Sequence, residues 1–177
     1  MIQGVQKKEK ATLGVGCFWC AEAAFKLLPG VVSVMPGYAG GTGEHPTYEE
    51  VSRGTTGHSE VAQIEYDPLR VSYADILKIF WEVHDPAQKG GQGADVGSQY
   101  RAVIFYHTES QKEEALASKA VIARQGNVVQ TEIRPFVNFY PAEAHHRDYY
   151  DKNPYTPYSQ AVIAPKVKKV KNILARA

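Results

Sequence analysis

The sequence has little cysteine, little methionine and no long apolar run. Its 177 residues include two cysteines, two methionines and two tryptophans, and its formal net charge is +1. Two cysteines are too few for the disulfide framework of a small secreted protein. No apolar stretch is long enough to cross a bilayer, and residues 1–10 lack the apolar core of a signal peptide. We therefore expect a cytoplasmic protein with no membrane contact.

The balanced charge also argues against nucleic acid as a partner. The basic run at 166–171 reads Lys-Val-Lys-Lys-Val-Lys, which suits a solvated helical face or tail better than a nucleic-acid or membrane contact. Tyrosine, in contrast, is plentiful, at 11 residues. A tyrosine ring packs against apolar groups while its hydroxyl stays available for hydrogen bonding, so tyrosines are common at binding sites.

The first cysteine lies where a predicted strand gives way to a helix. Residues 10–15 have the pattern of a short buried strand, and Gly14 and Gly16 permit a tight turn. Apolar residues recur at helical spacing from Phe18 onward. Cys17 therefore stands at a helix N-terminus, where free N–H groups and the helix dipole favour the thiolate, the reactive form of cysteine. The alternative is an inert, buried cysteine that packs as a small hydrophobic residue.

Cys17 and Cys20 are separated by three positions. On a regular helix this places their Cβ atoms about 5–6 Å apart, whereas a disulfide needs roughly 3.5–4.5 Å, so the first turn must fray for the pair to bond. The spacing leaves three uses open: dithiol exchange, metal binding, or a nucleophile with a resolving partner. Metal is the weakest, because structural zinc takes four ligands and the adjacent His145 and His146 would not face the same way. We predict no metal and no bound cofactor.

Several further motifs follow along the chain. The helix opens with Gly-Cys-Phe-Trp at 16–19. After it come, in order, Gly-Tyr-Ala-Gly-Gly at 37–41, Pro-Thr-Tyr-Glu-Glu-Val at 46–51, Thr-Gly-His-Ser-Glu-Val at 56–61, Phe-Trp at 80–81 with His-Asp-Pro at 84–86, and Gly-Ser-Gln-Tyr-Arg at 97–101. In this order and spacing the chain resembles the A-type peptide methionine sulfoxide reductases from about residue 12 to residue 153. The collinear set is far more specific than one tetrapeptide.

The resemblance implies an enzyme that reduces methionine sulfoxide, free or in peptides, with selectivity for the S epimer at sulfur. A thiolate, a proton donor and hydrogen-bond donors around the sulfoxide oxygen are what this reaction requires. The roles carried over by position are the nucleophile Cys17, the acid Glu60, the hydroxyl donors Tyr48 and Tyr100, and the substrate-binding residues Phe18, Trp19 and Asp95. Without the resemblance, periodicity favours an exposed strand-edge position for Glu60.

The second cysteine is the candidate resolving thiol. A sulfenic acid on Cys17 condenses readily with a nearby thiol, and the region around Tyr158, where many relatives carry recycling cysteines, has none. We expect Cys20 to resolve Cys17 as a disulfide, with direct reduction by an external thiol as the alternative. The resemblance implies thioredoxin as the final reductant.

The late histidine-tyrosine segment matches the family less well. His146 and Tyr149 match the family's His and Tyr, but His145 and Arg147 stand where it commonly has Tyr and Gln. This segment therefore contributes outer candidates rather than site residues.

The order of predicted strands and helices favours an α+β fold. We expect a two-layer α/β sandwich around a mixed sheet with a ferredoxin-like core, in a single domain with a flexible N-terminus at 1–10 and an extended, peripheral C-terminal tail at 151–177. Two other functions stay open on the residues alone. One is a thioredoxin-like dithiol-disulfide oxidoreductase without a sulfoxide pocket, and the other is a module that binds methionine-rich peptides through Trp19 and the tyrosines.

Overall fold

The computed structural model describes residues 7–177. The strands are β1 Glu9–Val15, β2 Val31–Ala39, β3 Ser59–Tyr66, β4 Gly91–Gln92, β5 Asp95–Val96, β6 Ala102–Tyr106, β7 Glu132–Pro135 and β8 Phe139–Pro141. The helices are α1 Phe18–Phe25, α2 Tyr48–Ser52, α3 Tyr73–Glu82, α4 Glu109–Arg124, α5 Tyr149–Lys152 and α6 Ala164–Ala175. Short helical turns of other types cover Ser98–Tyr100, Ala144–His146 and Ser159–Ile163.

One six-stranded sheet organises these elements, in the order β7-β6-β1-β3-β2-β8. The four central strands β6, β1, β3 and β2 pair antiparallel with one another. At the edges, β7 pairs parallel to β6 and β8 pairs antiparallel to β2. With α1 and α3 between them, the central strands follow the β-α-β-β-α-β connection of ferredoxin-like folds. The predicted α+β class, mixed sheet and ferredoxin-like core are confirmed.

The main core lies between the sheet and its helices. Leu13 of β1, Ile64 of β3 and Ile104 of β6 are fully buried and share one cluster with Phe25 of α1 and Phe80 of α3. Because side chains alternate along a strand, their neighbours point to the other face. A smaller buried cluster forms there from Ala39, Val61, Val103 and Phe105.

Two helix starts are closed by a capping box. The Thr47 hydroxyl accepts a hydrogen bond from the Glu50 amide, and the Glu50 carboxylate accepts one from the Thr47 amide. Ser72 and Asp75 make the same reciprocal pair at the start of α3. Such boxes satisfy amide groups that have no partner inside the helix. The first box fixes where α2 begins and so places Tyr48 in its first turn.

The C-terminal segment is not the extended, peripheral tail predicted for 151–177. It contains α6, on which Val167 and Val170 are buried, and Ile163 just before it is buried as well. The valines recur three residues apart within the lysine run, so one face of α6 packs inward while the lysines face outward. The high lysine content of residues 166–171 drew attention away from the helical spacing of these valines. Across residues 7–177, no helix combines the length and the apolar character needed to span a membrane.

Smaller differences concern the edges of the predicted elements. The predicted flexible N-terminus at 1–10 lies partly outside the described residues, but Glu9 and Lys10 belong to β1. Strand β8 was not predicted, because three residues give no measurable periodicity.

A matched pair of glycine substitutions tests the packing behind the sheet. Gly40 has φ +80, and a Cβ there would overlap the ring of Phe105, whereas Gly43 has φ +89 and no atom within 4 Å of such a Cβ. Alanine at either position incurs the left-handed backbone penalty of about 1–2 kcal/mol, and Gly40→Ala adds overpacking of roughly 1–3 kcal/mol. Urea unfolding should therefore show a clearly larger loss for Gly40→Ala. Equal losses would contradict the steric argument.

Candidate active site

The chain turns sharply from β1 into α1 at Gly16. This glycine has φ +102, and a Cβ on it would lie 2.7 Å from Gln92 Cβ, so no side chain fits there. Cys17 follows with extended backbone, φ −64 and ψ 130, as the N-cap residue of α1. The strand-turn-helix arrangement predicted around this thiol is confirmed.

A cavity of about 210 Å³ lies beside Cys17. Its walls come from α1, α2, β3, the hairpin β4–β5, the turn before β6 and the segment before α6. The lining residues are Cys17, Phe18, Trp19, Tyr48, Glu60, Asp95, Tyr100 and Tyr158. Every residue predicted as catalytic or substrate-binding thus reaches one cavity. Cys20 does not line it and is buried in α1.

Glu60 enters the cavity wall as a buried carboxyl group. It is 1% exposed, and its Oε2 accepts a hydrogen bond of 3.1 Å from the Phe18 amide. Burial raises the pKa of Glu60 to about 8, against the lowering effect of the Phe18 hydrogen bond. The negative charge of Asp95 adds to the rise. Glu60 therefore holds a proton at neutral pH, and since Oε2 accepts the amide hydrogen, Oε1 is left to carry that proton.

The pKa of the Cys17 thiol is raised, which is opposite to the effect predicted from the helix N-terminus. Burial is the main cause, and the hydrogen bond with Cys20 and the charge of Glu60 add to it. The Cys17 side chain makes no capping hydrogen bond, and the Phe18 amide points at Glu60 instead. The free amide at the start of α1 therefore favours the ionised form of Glu60 and does not favour the thiolate of Cys17. The same hydrogen bond with Cys17 lowers the pKa of Cys20.

Three tyrosines line the cavity with their hydroxyl groups protonated. Burial raises the pKa of Tyr48, Tyr100 and Tyr158, so each remains a hydrogen-bond donor at neutral pH. The Tyr158 hydroxyl donates to Asp95 Oδ2 at 2.7 Å and interacts with Cys17. Sequence reasoning missed Tyr158 because it lies in the segment predicted as a tail.

Two further side chains, Glu143 and His146, form hydrogen bonds with residues that line the cavity. Glu143 accepts a hydrogen bond of 2.7 Å from the Tyr38 hydroxyl and one of 2.8 Å from the Tyr48 amide. His146 Nδ1 accepts one of 3.1 Å from Trp19 Nε1. Burial lowers the pKa of His146, so the ring is neutral, with its hydrogen on Nε2. The family motifs had marked His146 as an outer candidate, whereas Glu143 carried no signal in the sequence.

The combination of groups around the cavity defines a class of chemistry. A buried thiol with a second thiol beside it can be oxidised and then re-reduced. A protonated carboxyl group and several hydroxyl donors can protonate and stabilise an oxygen that gains charge during the reaction. Phe18 and Trp19 supply an apolar wall. The fold and the site therefore define a cysteine-dependent oxidoreductase.

Comparison with known proteins identifies the family. The family model described as peptide methionine sulfoxide reductase matches residues 9–176. The chain belongs to this family, as the motifs indicated.

Individual relatives agree over most of their length. A protein from Thermus thermophilus named peptide methionine sulfoxide reductase MsrA is 54% identical over 165 residues, covering 93% of this chain and 94% of the relative. The crystal structure of Mxr1 from Saccharomyces cerevisiae in reduced form is similar, with a TM-score of 0.80 and 34% identity, over 85% of this chain and 88% of that one. Mxr1 in complex with Trx2 gives a TM-score of 0.59 and 25% identity, over 84% and 89% of the two chains.

The electrostatic contact between Glu60 and Cys17 can be measured by alkylation. In a Cys20→Ser background, Glu60→Gln should shift the pH midpoint of Cys17 alkylation by iodoacetamide to lower pH, because it removes a negative charge that raises the pKa of Cys17. Glu65→Gln, on the same strand but paired with Lys8, is the matched control and should leave the midpoint in place. A midpoint that Glu60→Gln does not move would contradict this contact.

Proposed function

We propose that this enzyme reduces the S epimer of methionine sulfoxide, free or peptide-bound, to methionine at the cavity beside Cys17. The observation that carries the proposal is that the thiol of Cys17 and the carboxyl group of Glu60, protonated at neutral pH, line one cavity. The names of the relatives support the substrate class. We also propose that the described chain acts as one catalytic domain.

The first step transfers oxygen from the substrate to Cys17. As the sulfur of Cys17 attacks, negative charge grows on the sulfoxide oxygen, and Glu60 supplies a proton there. Because the protonated Glu60 carries no charge, it no longer opposes loss of the Cys17 proton. The S=O bond of the substrate breaks and an S–O bond to Cys17 forms, which gives a Cys17 sulfenic acid and methionine. The proton that the Cys17 thiol loses replaces the one that Glu60 donates, so the step balances without a cofactor.

The other lining residues orient the substrate during this step. The hydroxyl groups of Tyr48 and Tyr100 donate hydrogen bonds to the developing oxyanion, in the manner of an oxyanion hole. Phe18 and Trp19 receive the methyl group of the substrate. Asp95 acts through its hydrogen bond with the Tyr158 hydroxyl, which closes the wall next to Cys17.

Cys20 then regenerates the nucleophile. Its thiol attacks the Cys17 sulfenic acid, forming a disulfide and releasing water. Each thiol shifts the pKa of the other, which supports their proximity, and the lowered pKa of Cys20 favours it as the attacking group. Thioredoxin reduces the disulfide by thiol–disulfide exchange, and the structure of Mxr1 in complex with Trx2 supports this partner. We propose the cytoplasm as the location, since thioredoxin keeps thiols reduced there.

Turnover of methionine sulfoxide with dithiothreitol tests the proposal directly. The unaltered enzyme should release methionine, at a rate that falls as pH rises through about 8 because Glu60 then loses its proton. Glu60→Gln should lower the rate by at least about 100-fold, the usual contribution of a general acid, while Cys17 stays open to alkylation. Reduction of insulin disulfides without sulfoxide turnover would instead make the protein a dithiol-disulfide oxidoreductase. Binding of peptides without either activity would make it a binding module.

The resolving role of Cys20 has a separate test. Cys20→Ser should release about one equivalent of methionine per enzyme in a single turnover and then stall with thioredoxin as the reductant, because no disulfide forms on the enzyme. The sulfenic acid should be trapped by dimedone and detected by mass spectrometry. Normal steady-state cycling of this variant with thioredoxin would assign recycling to direct attack by the external thiol.

A further inference from the structure

Glu22 is a buried carboxylate that the proposed reaction does not use. It lies in α1 and is 3% exposed. Both of its carboxylate oxygens lie 3.0 Å from the backbone nitrogen of Asp148, which donates its hydrogen to them. Burial raises the pKa of Glu22, and the hydrogen bond from the Asp148 amide opposes that rise. A carboxylate is rarely buried unless hydrogen bonds offset the cost of removing it from water. The bonds from the Asp148 amide therefore stabilise Glu22 in its buried position.

The bonded segment has an unusual backbone. Asp148 has φ 53 and ψ 34, in the left-handed region, which residues with a side chain seldom adopt. Its carboxylate and that of Asp151 each accept a hydrogen bond of 2.6 Å from Lys26 Nζ. Glu22 and Lys26 are four residues apart and so share one face of α1. Glu22 on this face binds the backbone at the start of α5, and Lys26 binds the side chains of Asp148 and Asp151.

The held segment supports a wall of the cavity. The ring of Tyr149, next to Asp148, stacks on Trp19 with a centroid distance of 3.6 Å and an interplanar angle of 5°. Trp19 lines the cavity and lies three residues before Glu22 on the same face of α1. Glu22 thus binds the backbone next to Tyr149, and Tyr149 covers the outer face of the Trp19 ring.

We propose that Glu22 is a positioning residue for the substrate pocket. By binding the Asp148 amide it fixes Tyr149 against Trp19, and so fixes the apolar wall that receives the methyl group of the sulfoxide. The consequence for the substrate rests on the function proposed above. The effect on the packing of the Trp19 ring is independent of that function, and it is measured without enzyme turnover.

The experiment compares Glu22→Ala and Glu22→Gln in a Trp81→Phe background. The chain has two tryptophans, so this background reports Trp19 alone. Loss of the stacked ring should change the emission of Trp19 and raise its quenching by acrylamide. In the same variants, KM for methionine sulfoxide should rise about tenfold while kcat changes by less than about twofold, the pattern of lost binding without lost chemistry. Glu22→Gln keeps the volume and one acceptor oxygen, so it should fold and show a smaller shift in the same direction.

Glu82→Ala is the matched control. It removes another helical glutamate, half-exposed and paired with Lys169 at 2.9 Å, and should leave the Trp19 emission and KM unchanged. Tyr149→Ala should reproduce the effect of Glu22→Ala, and the double variant should add little, because both changes act through one contact.

Each outcome decides between the two proposals. Unchanged Trp19 emission in both Glu22 variants, or additive effects of the Glu22 and Tyr149 changes, would overturn the positioning role while leaving sulfoxide reduction intact. A changed emission in a protein that turns over no sulfoxide would support the positioning role and overturn the proposed reaction instead.

Discussion

The hydrogen bond between the Phe18 amide and Glu60 Oε2 is the contact on which the site depends. It joins the first turn of α1 to β3 inside the protein, at 3.1 Å. Because this amide is one of those left free at a helix N-terminus, it is available to a carboxyl group from another element. The bond fixes one oxygen of Glu60 and leaves the other as the proton carrier. Because the Phe18 amide donates to Glu60, it is not available to stabilise the thiolate of Cys17.

The sheet brings these two groups together through its register. Strands β1 and β3 are antiparallel, and Leu13 pairs with Ala62. The chain beyond Leu13 therefore runs toward Glu60, and Gly14 lies so close that a Cβ on it would be 3.0 Å from the Glu60 carbonyl oxygen. A side chain separated from Cys17 by more than forty positions in the sequence is thereby placed at the turn that holds the thiol. The chemistry of the site follows from the pairing of two central strands.

Local patterns in the sequence were sufficient for much of this fold. Capping residues such as Thr47 and Ser72 act within one helical turn, so their effect is visible in a few letters. The motifs around Cys17 and Glu60 likewise pointed to the residues that line the cavity. The distances between the site residues and the burial of their side chains could not be predicted from these local patterns. The raised pKa of Cys17 depends on what covers the sulfur, and that cover comes from elements far away in the sequence.

The contributions of Glu143 and Tyr158 were missed for a related reason. Each acts through contacts with residues remote in the sequence: Glu143 accepts hydrogen bonds from Tyr38 and Tyr48, and Tyr158 contacts Asp95 and Cys17. No spacing rule connects such pairs. The packing of α6 was missed because its valines are diluted by lysines, so its composition resembles that of a solvated tail although its period is helical.

The position of Tyr158 late in the chain has a consequence for biosynthesis. A ribosome adds residues from the N-terminus at a limited rate, so both thiols leave the exit tunnel long before the segment that covers one of them. During that interval the nascent polypeptide exposes a sulfur that the finished protein shields. Docking of the segment around Tyr158 is therefore also the moment at which this sulfur gains its protection from oxidants in the surrounding solution.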